Sequence, residues 1–342
     1  MPTHVGLIGG GNISETHARA ALAVPDVAIS AVYGTNMQNV ERLARDYGGK
    51  AFTDYNAFLA HKPMDLVMIG SPSGLHAQQG IDAAHRGLHV LTEKPIDITA
   101  ARADELIAAT TAANVKLGVM FQDRVKPDIQ RLKRLIDSGA LGKILFVDAR
   151  VKWYRPPDYY GKSKWRGTMK FDGGGALMNQ GVHTVDLVLW TVGDVTRVQS
   201  RTATALHNIE SEDTAAAILE FANGALGTLH ATTAAYPGYQ RRVEITGTEG
   251  TVILEHDRII AMDLRNPAAA EQPSDAPKDT NLSASSAAVT DIRGHQKILE
   301  DFLHAIRTNG KPICDGVEGR KSVALIEAIY RASRSASATV SL

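Results

Sequence analysis

Three observations predict an α/β protein with a doubly wound N-terminal domain and a C-terminal α+β domain carrying a large, mostly antiparallel sheet. Short apolar runs alternate with segments of helical periodicity over roughly the first 120 residues of the 342. The first of those runs, HVGLI, stops at Gly9-Gly10-Gly11 and opens into a helical stretch. Beyond residue 122, strand-like segments follow one another with a single helical insertion. The expected boundaries are 1–121 and 122–342, a length that accommodates two ordinary domains.

The elements follow in order. Strands are expected at 4–8, 27–34, 51–52, 65–70, 89–93 and 116–120, separated by helices at 12–23, 37–47, 55–61, 75–86 and 99–113. Strand–helix repetition of this kind implies right-handed crossovers and a mostly parallel sheet covered on both faces. A helix fits 127–138, where Ile129, Leu132, Leu135 and Ile136 share one side and Gly139 lies just past the end. Strands are then expected at 143–154, 195–205, 213–222, 225–235, 241–247 and 251–255, with a helix at 176–191. Asn223-Gly224 marks a hairpin turn. An irregular loop is expected over 266–290, then helices near 295–308 and 317–332, which are placed to pack back on the first domain.

Composition narrows the function. The formal net charge is zero, so no global field attracts nucleic acid or an anionic membrane. The single cysteine, Cys314, excludes an internal disulfide and a cysteine metal cluster, and no H-E-x-x-H motif is present, so no metal is expected. The start, MPTHVGLIGGG, lacks the parts of a signal peptide, and no run approaches the length of a membrane span. The expected location is the cytoplasm.

The segment GGGNIS at 9–14 follows a strand and opens a helix, the context that gives a dinucleotide fingerprint its meaning. Gly9 makes the tight turn and Gly11 admits a pyrophosphate. The amides of Gly11, Asn12 and Ile13 then face its charge at a Rossmann-type helix N-terminus. Ser14 takes the place of the usual third glycine. The second strand should end in an acid that holds the ribose hydroxyls of NAD, yet it ends Tyr33-Gly34-Thr35-Asn36. With no carboxylate there, a 2′-phosphate meets no repulsion and Thr35 and Asn36 can donate to it, which favours NADP over NAD. The alternative is that these two residues cap the next helix and NAD is accepted.

This fingerprint, SPSGLH at 71–76, EKP at 93–95, FQDR at 121–124 and GGGALMNQGVHTVD at 173–186 together resemble the Gfo/Idh/MocA family of oxidoreductases. The resemblance covers nearly the whole chain. It implies an NAD(P)-dependent dehydrogenase or reductase acting on a CH–OH group of a sugar, cyclitol or sugar derivative. It also implies a homodimer or homotetramer built through the open faces of the C-terminal sheets. Lys94 matches the family's lysine near substrate and nicotinamide, Glu93 and Pro95 match the residues that present it, and His183 matches the histidine assigned to catalysis. Position 179, often aspartate in relatives, is asparagine in this chain.

The chemistry fits those residues. Alcohol oxidation needs a hydride acceptor, supplied by the cofactor, and a group to manage the hydroxyl proton. Lys94, at the end of a strand, is suited to stabilise a developing alkoxide, and His183 to move the proton. Asn179, His183 and Asp186 differ by four and three residues, which on an α-helix places them on one side. Asp186 either orients His183 or forms a structural salt bridge. Glycines 173–175 are read as the approach to the substrate pocket. Ser71, Pro72 and His76 are expected to line the dinucleotide cleft together with Gly34, Glu93 and Lys94, and Gln122 to touch nicotinamide ribose or substrate. Tyr154, Trp165 and Arg166, in KWYRPPDYYGKSKWRG, are expected to shape the sugar pocket rather than to bind nucleic acid. Two other functions stay open: a glycoside-cleaving enzyme that oxidises its substrate transiently, and a catalytically silent nucleotide sensor.

Overall fold

The computed structural model describes residues 2–267, 284–285, 291–335 and 340–342. The chain divides into two compact units, one of residues 1–122 with 288–320, the other of residues 123–287 with 321–342.

The first unit is built on β1 (Thr3–Ile8), α1 (Asn12–Leu22), β2 (Val27–Tyr33), α2 (Met37–Tyr47), β3 (Lys50–Phe52), α3 (Tyr55–Ala60), β4 (Leu66–Ile69), α4 (His76–Ala84), β5 (His89–Thr92), α5 (Ala100–Ala112) and β6 (Leu117–Val119). Its six strands are all parallel, in the order β3-β2-β1-β4-β5-β6. Every residue of β4 is buried, as a strand covered by helices on both faces requires. Short polar residues start the helices: Asn36, Asp54 and Thr99 accept from the amides of Asn39, Ala57 and Arg102 at 3.1, 2.8 and 3.2 Å. No side chain caps α1, so its first amides keep their donor capacity at the end of the glycine turn.

The second unit starts with a 3₁₀ turn and α6 (Pro127–Asp137), with Pro127 at its first position, followed by β7 (Ile144–Lys152) and the short α7 (Pro157–Gly161). After α8 (Val182–Val192) come β8 (Val195–Ala203), β9 (Thr214–Phe221), β10 (Leu226–Thr232), β11 (Arg242–Gly247), β12 (Gly250–Glu255) and β13 (Arg258–Leu264). α9 (Arg293–Thr308) belongs to the first unit and packs on α1, while α10 (Gly316–Arg334) runs from the first unit into the second, and β14 (Val340–Ser341) closes the sheet edge. The eight strands lie in the order β13-β12-β11-β7-β10-β9-β8-β14. The sheet is antiparallel except where β7 and β10 run parallel. Burial alternates along β9, so this sheet has one covered face and one open face. Among the described residues, no helix is long and apolar enough to cross a membrane.

The sequence reading missed β13, β14 and α7. The loop expected over 266–290 lies outside the described residues except for 266–267 and 284–285. The helix expected at 176–191 is two structures: Ala176–Gly181 winds as a π-helix, and α8 begins at Val182. The wider turn breaks the i, i+4 arithmetic, so Asn179 does not share an α-helical side with His183 and Asp186. The glycines before it answer to packing within the protein. A Cβ on Gly174 would lie 2.0 Å from Tyr330 Oη, and one on Gly175 2.0 Å from the Glu212 carbonyl oxygen. Glu212 itself is buried and accepts from the amides of Gly175 and Leu177 at 3.1 and 2.7 Å and from Tyr330 Oη at 2.9 Å. Burial pushes its carboxyl up, against those donors.

The close approach at Gly175 yields a stability prediction. Gly175→Ala forces backbone apart and should destabilise the protein by about 1–3 kcal/mol, read as a lower urea midpoint. An unchanged midpoint would show that the π-helix tolerates the displacement.

Candidate active site

The first unit carries the dinucleotide features. Gly9 has φ +130°, and a Cβ there would lie 2.5 Å from Ser14 Oγ and 2.8 Å from the Gly70 carbonyl oxygen. This glycine is therefore required by the turn itself. Gly11 is exposed, with nothing within 4 Å of a Cβ position, so packing does not demand a glycine there. Open backbone beside uncapped helix amides, with Gly11 and Asn12 exposed and Ile13 half-buried, fits the approach of a pyrophosphate. Ser14 is buried against Gly9 and Gly70 and does the close-packing job of the missing glycine. Gly34 lies against Gly10, bringing the end of β2 beside this turn. Thr35 and Asn36 are exposed; the Asn36 side-chain oxygen caps α2. Arg42 pairs with Glu15 at 2.9 Å.

The loop after β4 and the segment after β5 are tied together. His76, fully buried, meets the Ser71 carbonyl at 2.9 Å and the Pro95 carbonyl at 2.8 Å, so both ring nitrogens brace the backbone. Pro72 starts the short turn that leads to it, and Ser71 Oγ donates to Gln79 at 2.6 Å. Lys94 is half-buried two residues past the end of β5, and its amide donates to Glu93 Oε2 at 3.2 Å. Glu93 is buried, with Oε1 2.9 Å from Nε2 of His17 on α1 and 3.5 Å from Nε2 of His295 on α9. Burial works against the Glu93 charge, but the two imidazoles hold its carboxyl well below the usual range. Burial likewise lowers His17, which donates to Glu93 as a neutral ring. Sequence reasoning found Glu93 and missed both histidines, which reach it from distant parts of the chain. At the end of this unit the Oε1 atom of Gln122 is buried without a hydrogen-bond partner among the described residues.

The second unit holds the histidine. His183 lies in the first turn of α8 with Nδ1 3.5 Å from Asp123 Oδ2. Asp186 was a candidate to orient it, but Asp186 instead receives Arg124 in a two-pronged buried pair, Nε to Oδ2 at 2.9 Å and Nη2 to Oδ1 at 2.7 Å. Trp190 lies under the same guanidinium, 5.3 Å from ring centroid to Cζ. The residue facing His183 is thus the neighbour of Gln122 in FQDR, which the sequence reading passed over. Asp123 also takes Arg241 Nη2 at 2.7 Å and Lys126 Nζ at 2.9 Å, and both cations contact Asp257 as well. Burial opposes the Asp123 charge, yet Arg241, Lys126 and His183 hold its carboxyl well below the usual range.

Asn179 donates to Asp172 Oδ1 and accepts from Gln180 Nε2. A carboxylate therefore lies one hydrogen bond from position 179 although the residue there is an amide. Gln180 continues to Tyr159 Oη at 3.0 Å and to Arg155, whose Nε and Nη2 donate to its Oε1 at 3.1 and 2.6 Å. Arg166 stacks on Tyr159 at 4.3 Å and on Trp165 at 5.4 Å. Tyr154 packs edge-on against Tyr236, at 5.3 Å between centroids, and its carbonyl oxygen accepts from Arg155 Nη1 at 3.1 Å.

A parallel sheet in the order 3-2-1-4-5-6, with an open glycine turn after its first strand, defines a dinucleotide-binding domain. Residues 3–121 match the family described as an oxidoreductase family with an NAD-binding Rossmann fold, and residues 129–253 match the GFO/IDH/MocA C-terminal domain. The chain is 32% identical to the WlbA dehydrogenase of Bordetella pertussis, solved with NADH and UDP-GlcNAcA, covering 100% of this chain and 98% of that one with a TM-score of 0.89. It is also 26% identical to the inositol 2-dehydrogenase of Rhizobium meliloti over 97% of both chains. With the levoglucosan dehydrogenase of Pseudarthrobacter phenanthrenivorans it shares 28% identity over 75% of this chain and 74% of that one. The protein belongs to the Gfo/Idh/MocA oxidoreductases.

The Asp123 cluster sets an acid dependence. Its folded carboxyl is lower than in the unfolded chain, so its pairing stabilises the fold fully above the ordinary carboxylate range. That contribution is lost as pH falls from about 4 through the lowered value. Asp123→Asn should cost on the order of 3 kcal/mol at pH 7 and lose less further stability on acidification than the wild type. Parallel stability profiles of the two proteins below pH 4 would contradict this.

Proposed function

We propose that the protein is an NAD(H)-dependent dehydrogenase or reductase that transfers hydride at a secondary alcohol of a sugar, cyclitol or sugar derivative. One observation carries the reading: Lys94 follows β5 at the carboxyl edge of the same parallel sheet whose first strand feeds the open glycine turn. Ligands of open α/β sheets bind at that edge. The relatives solved or named with NADH, UDP-GlcNAcA, inositol and levoglucosan support the substrate class. NAD is preferred to NADP in this reading, although the end of β2 offers no carboxylate. The Arg42 guanidinium already serves Glu15, and the relatives solved with NADH support this reading.

The bound nicotinamide supplies the hydride acceptor. Lys94 then donates a hydrogen bond to the carbinol oxygen and stabilises its developing charge. His183 accepts the hydroxyl proton at Nε2, with the Asp123 carboxylate 3.5 Å away on its Nδ1 side. Asn179 and its partners Asp172 and Gln180 present the polar groups that hold neighbouring hydroxyls, with Tyr154 and Trp165 as apolar walls for the sugar. Gln122, through its buried amide oxygen, meets the nicotinamide ribose or the substrate.

The open face of the eight-stranded sheet is assigned to contact between copies of this chain. Phe146 and Leu226 are paired in register, Ile218 lies on the same face, and the three are 42%, 50% and 52% exposed. A homodimer or homotetramer in the cytoplasm, where nicotinamide dinucleotides are supplied, completes the proposal.

Purified protein should reduce NAD at 340 nm with sugar-like alcohols, with higher kcat/KM for NAD than for NADP. Lys94→Ala and His183→Ala should each lower kcat by roughly 10²–10⁴-fold with dinucleotide affinity little changed, because the glycine turn is intact. Stoichiometric nucleotide with no turnover of any candidate would favour a sensor. Near-normal kcat in both variants would remove these residues from the chemistry.

A further inference from the structure

The segment from 152 to 172 carries six basic residues against two acidic ones, in a chain whose net charge is zero. The two arginines within it are met differently. Arg155 is buried on Trp153, donates to the Gln180 side chain and reaches the carbonyls of Tyr154 and Ala284 at 3.1 and 3.5 Å. Neutral dipoles thus meet it at every one of these contacts. Arg166 is half-buried, with its Cζ 4.3 Å from the Tyr159 ring centroid and 5.4 Å from that of Trp165. Among the described residues Arg166 forms no ion pair, and its Nε is buried without a hydrogen-bond partner.

The acids nearby are engaged elsewhere. Asp158 pairs with Lys162 at 2.7 Å, and Asp172 accepts from the Gly167 amide at 2.8 Å and from Asn179. Burial keeps the Tyr159 hydroxyl protonated, so it adds no negative charge under the guanidinium. A guanidinium donor out of water with no acceptor is destabilising, and an incoming oxyanion on the guanidinium would offset that. Two aromatic rings against the guanidinium restrict its motion, and a guanidinium held in place is suited to two-pronged binding of a carboxylate or phosphate. The hydrogen-bonded path from Tyr159 through Gln180 ends on Asn179, four residues before His183.

We propose that the substrate is an anionic sugar, and that Arg166, held against the Tyr159 ring, binds its carboxylate or phosphate. This rests on the oxidoreductase reading above and narrows its substrate class. Arg166 sets specificity in this proposal and takes no part in hydride or proton transfer.

The test uses NAD-loaded full-length protein and matched ligands: a hexose, its hexuronate and its hexose phosphate. Calorimetry should give at least tenfold tighter binding for one of the two anions than for the neutral hexose, and which one it is distinguishes carboxylate from phosphate. Arg166→Gln should shrink that charged-over-neutral ratio at least tenfold, and Arg166→Lys should restore part of it. Thermal midpoint and NAD binding report that each variant is folded. In turnover the effect of Arg166→Gln should fall on KM for the anion more than on kcat. Equal affinity for neutral and charged ligands, or a ratio that survives Arg166→Gln, overturns the proposal. Absence of NAD reduction with all three ligands counts instead against the oxidoreductase reading, since the binding ratio is measured without turnover.

Discussion

A buried carboxylate that must stay charged organises the second unit. Asp123 lies at the start of that unit, and its oxygens gather Lys126 from before α6, Arg241 from before β11 and His183 from α8. Asp257, in the turn between β12 and β13, shares both cations. Two acids and two bases cancel, which is how four ionic groups tolerate removal from water. Removing one member strands its partners, so the same ionic set that folds this region also fixes the field felt by His183. Beside it, the Arg124–Asp186 pair clamps the 3₁₀ turn to α8.

The first unit follows the same logic around Glu93. Its carboxylate receives the Lys94 amide on one oxygen and His17 and His295 on the other, so the lysine's backbone is fixed by residues from α1 and α9. His76 holds the next residue, Pro95, to the loop after β4. In both units a candidate reactive residue sits beside polar groups that are themselves buried and paired, which favours preorganisation over adjustability.

The alternation of apolar runs with helical segments made the parallel sheet legible, because strands such as LVMI at 66–69 are buried on both faces and carry no competing pattern. The glycine turn was legible for a similar reason: a left-handed backbone at Gly9 leaves few residue choices. The π-helix was not, since the sequence ALMNQG satisfies helical spacing and the extra residue per turn is set by Glu212 and Tyr330, more than thirty positions away. Asp123 and His17 were hidden for the same cause, as their partners are brought by the fold. Spacing on an ideal helix left Asp186 two roles, orienting His183 or a structural salt bridge, and its pair with Arg124 is the second. β13 was missed because its burial pattern lacks a clean alternation at the sheet edge.

The proposal that Lys94 and His183 both serve the hydride-transfer step is tested most directly by a double-mutant cycle on single-turnover hydride transfer. Residues that work as a unit are non-additive. The double variant Lys94→Ala/His183→Ala should therefore lose about as much rate as the worse single variant. Losses that simply multiply would contradict the account, and would assign the two residues to separate steps.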